Sequence, residues 1–261
     1  MSNEKTKDEL FRSYVQGKSV ALVGPAASLT GQRLGELIDS YDIVARVKTF
    51  IRDDIEDFGT RCDVLYTTEP FDRCDVVNKK RKKLLGHDSY VFEKFEDPLQ
   101  VYSKNNVKWL VSSYPSEEWF SNRYVEIFRS LGDKFSWRFS RPDLYFEVKE
   151  AISAVSPSRP NSGFAAFLDM LSFEPKELFI CGLDFYRSLY YENYQNGLAT
   201  KDIVSEWTIP YDKEAHHPDR QYECFKQIIQ STNVNVTLDP WFSNIINDRN
   251  YDKIYDMKGD K

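Results

Sequence analysis

Two groups of residues in this 261-residue chain have the types and spacing for chemistry on an anionic ligand. The first is Pro160, Asn161, Ser162, Gly163 and Phe164, a small polar turn that opens an apolar helix. The N–H groups of Ser162 and Gly163 stand at the positive end of that helix, where a carboxylate or phosphate is held. A buried-looking strand, Glu177 to Gly182, follows directly, and the turn Asp184, Phe185, Tyr186 lies beyond it. That turn falls at a carboxyl edge, where open parallel sheets bind ligands. The second group is the histidines, three in all: His87, His216 and His217. Histidine takes up a proton near neutral pH without a large shift. His87 follows a glycine in a polar segment and reads as a surface residue. His216 and His217 precede Pro218 at a helix start, where a ring projects toward a cleft as a catalytic base or packs as a structural pair. A metal would require a third ligand at short range; none is evident and HExxH is absent, so the sequence predicts no metal site.

These groups need strands and helices to bring them together. Lys18 to Gly24 is a continuous apolar run, as in a strand covered on both faces. Pro25 to Ser28 makes a tight turn of small residues, and Leu29 to Ser40 has helical spacing. Strand, turn and helix form the opening unit of a nucleotide-binding fold, here without GxGxxG or the phosphate-binding GxxxxGK[ST]. Asp42 to Lys48 and Cys62 to Thr67 read as the next strands, joined by a loop at Asp57 to Arg61. Val107 to Ser113 is strand-like, Glu117 to Leu131 an amphipathic helix, Phe135 to Phe139 an exposed strand and Asp143 to Val155 a helix stopped by Pro157. A helix from about Asp219 to Gln230, a strand at Val234 to Leu238 and a helix at Trp241 to Ile246 close the pattern. Strands separated by helices predict a mostly parallel sheet. The tyrosine-rich stretch from Arg187 to about Asp212 lacks periodicity and reads as a lid-like loop, or as an extension packed on the body.

Composition bounds the reading further. With 41% apolar residues the chain can bury one large core, so a single domain at 18–248 is expected between a polar lead-in (1–17) and a polar tail (249–261). A net charge of −6 argues against bulk binding of nucleic acid. The basic run Lys79 to Lys83 is read as a solvated helix face rather than a contact with an anionic membrane. Four dispersed cysteines without CxxC fit free thiols in a reducing compartment, and no apolar run approaches the roughly 20 residues of a membrane span. The expectation is a cytoplasmic protein.

Taken together, these residues resemble the sialyl motifs of glycosyltransferase family 29. Val23, Gly24, Pro25, Ala26, Ala27, Ser28 and Leu29, with Gly31, Arg33 to Gly35, Ile38, Asp39, Asp42 to Val44 and Arg46, are similar to the large motif. Asp57 to Arg61 resembles the loop that follows it. Asn161 to Phe164 through Gly182 is similar to the small motif. His217, with Glu223 one residue further along than usual, resembles the short motif that carries the catalytic histidine. Gly182 to Tyr186 is also similar to bacterial sialyltransferases of family 42. The likeness spans Lys18 to Ile246 with motif order kept.

The resemblance implies a single Rossmann-like, GT-A-variant domain. It implies inverting, metal-independent transfer of sialic acid from CMP-sialic acid to a glycan hydroxyl, with no further cofactor. In that scheme His217 deprotonates the acceptor and Tyr186 contacts the departing phosphate, with a second tyrosine among Tyr190, Tyr191 and Tyr194. The donor would lie on Gly24, Pro25, Ala26, Arg46, Lys48, Asn161, Ser162, Gly163, Gly182, Leu183 and Asp184. The chain departs from both families in carrying Pro25 and Lys48 where asparagines are usual, and it lacks the vertebrate disulfide. Proline removes an N–H, leaving those of Ala26 to Ser28, while Lys48 adds a charge able to pair with phosphate or carboxylate. CMP-Kdo offers the same nucleotide and carboxylate and is the competing donor. A nucleotide- or sugar-binding protein on the same scaffold, without catalysis, is the reading of a different class.

Overall fold

A computed structural model of the protein describes residues 5–48, 54–67, 102–103, 105–118, 121, 125, 128–129, 135–153, 158–188 and 216–247. Seven strands form one sheet: β1 (Ser19–Val23), β2 (Ile43–Val47), β3 (Val64–Thr67), β4 (Trp109–Ser112), β5 (Ser136–Phe139), β6 (Glu177–Cys181) and β7 (Asn235–Leu238). Their order is β5-β4-β3-β2-β1-β6-β7, and every neighbouring pair is parallel. The expectation of a single parallel sheet flanked by helices therefore holds. The chain winds outward from β1 to β5, then returns to place β6 on the other side of β1, in register from Ser19 with Glu177 to Val23 with Cys181. The β1–β6 seam is thus the point where strand order reverses, and crevices for ligands open at the carboxyl ends there.

Apolar residues alternate onto both faces because both are covered. Val20 and Leu22 of β1 join the main core with Ala45, Val47 and Ile180, whereas Ala21 and Val23 pack with Val44, Leu29, Ile38 and Phe58. On the second face lie α2 (Gly35–Asp39) and α3 (Ile55–Phe58). The helix expected from Leu29 begins only at Gly35. Gly31 and Arg33 have φ of 81° and 56°, so the chain makes one 3-10 turn, Ala27–Leu29, and then bends before α2. Asp57 fixes that bend by accepting from the N–H groups of Gly31 and Arg33.

The segment 1–17 contributes more than a lead-in. It holds α1 (Lys7–Val15), started by a Thr6–Glu9 capping box and anchored by buried Phe11 and Val15. After β5 come α4 (Asp143–Ile152), α5 (Ser162–Leu171), α6 (Pro218–Ser231) and α7 (Pro240–Asn247). Every residue of α5 is buried, as suits a helix apolar on all sides. Its one acid, Asp169, accepts from Tyr66 at 2.7 Å and from Arg138 at 2.6 and 3.1 Å, so a satisfied ion pair pins α5 to β3 and β5. Arg138 explains why β5, expected to be exposed, is only partly so: it is 2% exposed. Lys79 to Lys83, His87, Cys74 and the tyrosine-rich stretch beyond Ser188 lie outside the described residues, as does most of the helix expected at 117–131. Cys62, Cys181 and Cys224 are free thiols. Among the described residues no helix is long and apolar enough to cross a membrane.

Candidate active site

A cleft opens at the carboxyl ends of β2, β1 and β6. It comprises about 730 Å³ of space counted to its open mouth, and the lining includes Pro25, Ala26, Lys48, Asn161, Ser162, Gly163, Gly182, Leu183, Asp184, Tyr186, Ser188 and His216. Ten of the donor and phosphate residues that the resemblance implied, and His216, therefore line one cleft. Gly24, expected at the donor, is not in the lining; its N–H donates to the Cys181 carbonyl and a Cβ would stand 2.1 Å from the Gly182 oxygen. Only glycine lets the two strand ends approach this closely.

The turn before α5 presents its first N–H groups at the cleft. Asn161 is the N-cap, its Oδ1 accepting from Phe164 N–H at 2.8 Å. The first-turn N–H groups of Ser162 and Gly163 have no intrahelical acceptor and stand at the cleft. Lys48, the residue after β2, also lines the cleft, with φ at 66° and its N–H held by the Tyr66 carbonyl at 2.6 Å. Phe185 and Tyr186, also in the lining, have φ of 54° and 62°. Left-handed backbone at non-glycine residues is costly, and it clusters where a site must be shaped.

Asp184 is buried, which pushes its carboxyl up to about 6 against the hydrogen bonds it receives from Ser188. Its Oδ2 accepts from the Ser188 N–H at 3.1 Å and from the Ser188 hydroxyl. Lys48 follows β2 and Asp184 follows β6, so they stand two strands apart, and both line the cleft.

Three further expectations need correction. Arg46, expected at the donor, points to the opposite face of the sheet: its Nε donates to the Arg61 carbonyl at 2.7 Å and its Nη2 to that of Phe58 at 2.8 Å. Strand alternation is the reason, since Val47 faces the cleft and its neighbour must face away. The Ala26 and Ser28 N–H groups, expected to serve an anion, are spent on the Gly182 carbonyl and the Ser188 hydroxyl. The histidine in the lining is His216; His217 is not part of it. His217 is the N-cap of α6 with φ at 44°, and this left-handed turn separates the two side chains. Tyr190, Tyr191 and Tyr194 lie outside the described residues.

His216 is buried, and burial drives its imidazole down to about 3, with the charges of Arg159 and Lys48 acting in the same direction. Its Nδ1 is 2.9 Å from the Arg159 carbonyl. A carbonyl only accepts, so Nδ1 carries the proton and Nε2 keeps the lone pair. Gln221 escaped sequence reasoning altogether. It is fully buried, accepting from Asn161 N–H at 3.0 Å and donating to the His216 carbonyl. The single available signal was spacing: His216 and Gln221 stand five apart, the separation that Glu223 misses by one when counted from His217.

No family model and no curated protein matches the sequence. Solved structures do match. A mammalian sialyltransferase in complex with Gal-β-1-3GalNAc-ortho-nitrophenol is similar over 87% of this chain and 71% of its own, at 14% identity and a TM-score of 0.50. The Campylobacter jejuni sialyltransferase CstII in complex with cytidine-5'-monophosphate is similar over 85% and 80%, at 14% identity and a TM-score of 0.50. CstII with a trisaccharide acceptor and CMP gives 85% and 80%, at 12% identity and a TM-score of 0.50. At these identities it is architecture that is held in common, and the seven-stranded parallel sheet with its crevice at the β1–β6 seam is a fold this chain shares with sialyltransferases.

Proposed function

We propose that the protein is a glycosyltransferase that moves an acidic sugar, sialic acid, from its CMP-activated form to a glycan hydroxyl. One observation carries the reading: an amide-lined helix start, a lysine and a neutral imidazole open onto one cleft at the switch point of a parallel sheet. In the proposed pose the donor's nucleoside would lie toward Gly182, Leu183, Asp184 and Ser188. Its phosphate and carboxylate would lie toward Ser162, Gly163 and Lys48, with the Tyr186 hydroxyl as a further donor.

His216 is the residue best placed to act as base. With Nδ1–H spent on the Arg159 carbonyl, Nε2 would take the proton from the acceptor hydroxyl as that oxygen attacks the anomeric carbon, while CMP departs from the opposite face with inversion. Burial keeps the ring neutral but makes it a weak base. A seated donor brings negative charge beside Lys48 and Arg159, offsetting the two cations that depress the ring and strengthening it when the acceptor arrives. CMP has a single phosphate, so N–H groups, a hydroxyl and one ammonium can stabilise its departure without a divalent ion.

The test is incubation with CMP-sialic acid and with CMP-Kdo, with and without a chelator, for wild type, His216→Ala and His217→Ala. The expected result is CMP release from CMP-sialic acid that survives the chelator. His216→Ala should lower it by roughly 100-fold or more, the range of a general base, while still binding CMP. Release that persists in His216→Ala and vanishes in His217→Ala would return the role to His217. Preference for CMP-Kdo would change the donor, and CMP binding without release in wild type would make this a binding protein.

A further inference from the structure

Gln221 sits in the second turn of α6, 0% exposed, with both ends of its amide engaged. Its Oε1 accepts from the Asn161 N–H at 3.0 Å, at the entry to the anion-binding turn, and its Nε2 donates to the His216 carbonyl. That carbonyl lies outside the hydrogen bonds of α6, whose first turn is closed instead by the His217 carbonyl, accepting from Arg220 and Gln221 at 3.1 Å. The N-cap side chain makes no capping hydrogen bond to α6, and His217 holds a left-handed φ of 44°. A strained backbone persists only where its surroundings hold it, and the Gln221 amide is the group that grips this one from inside.

The two halves of the site are thereby laced together. Residues 159–161 hold the His216 ring through the Arg159 carbonyl and the His216 main chain through Asn161 and Gln221. An amide suits the task because it accepts at one end and donates at the other; an ionised carboxylate would set an acceptor against the His216 carbonyl.

We propose that Gln221 is a positioning residue: it turns His216, rather than His217, into the cleft and ties that ring to the turn where the donor's anion sits. The catalytic consequence rests on the transferase reading above, whereas the geometric claim does not. The charges acting on the ring are those of Arg159 and Lys48, and Gln221 adds none, so its removal changes the ring's setting without changing nearby charge.

The experiment follows the His216 ring by NMR from pH 8 to pH 3 in wild type, Gln221→Met and Gln221→Glu, alongside CMP release from CMP-sialic acid. In Gln221→Met the ring should gain access to water and protonate at least about one pH unit higher than in wild type. Its kcat should fall on the order of 100-fold, as for a misplaced catalytic group, with the donor KM within about threefold. Gln221→Glu should work at low pH, where the protonated carboxyl donates as the amide did, and should lose activity as pH rises through that carboxyl's titration. A Gln221→Met ring that titrates as in wild type overturns the proposal, even if the melting temperature drops. Should Gln221→Met fail to fold, a Gln221→Glu with the wild-type pH profile overturns it equally. Absence of CMP release in wild type would count against the transferase reading alone, because the ring titration still decides whether Gln221 sets the histidine.

Discussion

Adjacent histidines acquire different surroundings here because one peptide turn stands between them. Composition and spacing single out the pair, but the side chain that reaches the cleft depends on the φ of His217, which Pro218 beside it does not reveal. Arg46 shows the same limit: it sits inside an apolar strand, and only the face assignment sends it to loop carbonyls instead of ligand. Lys48 and Asp184 were legible as site residues because they fall at strand ends. Asp184 also carries a consequence for stability. Its folded carboxyl titrates at about 6 against an ordinary 3.8, so ionising it costs the folded state about 3 kcal/mol above pH 6 and nothing below pH 3.8. Asp184→Asn keeps an acceptor for Ser188. The variant should match wild type in thermal melts at pH 4 and exceed it increasingly as pH rises to 7, by up to that amount. His216 acts in the opposite sense: its depressed folded value means that wild type loses stability as pH falls from about 6.5 toward 3. An advantage of Asp184→Asn that is equal at pH 4 and pH 7 would show that its carboxyl is not the buried group it is taken to be.

Among the elements, β1, β2, β3 and β6 were readable because strands covered on both faces are written as apolar runs. The helix expected at Leu29 was displaced because positive φ at Gly31 and Arg33 is invisible to helical spacing. The β1–β6 seam determines whether a cleft exists at all. A Cβ on Gly24 would meet backbone, 2.1 Å from the Gly182 oxygen, whereas one on Gly163 would meet a side-chain atom of Leu183 at 2.5 Å. Backbone cannot step aside as a leucine can. Gly24→Ala should therefore cost about 1–3 kcal/mol or more in denaturant unfolding, and Gly163→Ala clearly less. Gly163→Ala should still weaken CMP binding by crowding the anion turn. Equal destabilisation by the two substitutions would mean that the strand ends can part without penalty.

At the scale of the molecule, a parallel sheet whose order reverses at β1 and β6 brings Lys48, the start of α5 and Asp184 to one cleft on the same edge. The anion turn hangs from α5, which a buried Asp169–Arg138 pair fastens to the far strands, so the site is held by the whole sheet and not by loops alone. Motif order revealed this architecture, yet only the five-residue spacing from His216 hinted at the clasp between α5 and α6 that Gln221 supplies, because a buried amide in a polar-looking helix resembles any surface glutamine. The proposed transfer requires a cytidine nucleotide lying across that edge. Titrating the protein with CMP while following its amide resonances tests this most directly. Saturable binding at one site is expected, with the largest shifts at Lys48, Ser162, Gly163, Gly182 and Asp184. Saturation that leaves these amides unmoved, or no binding of CMP at all, would contradict it.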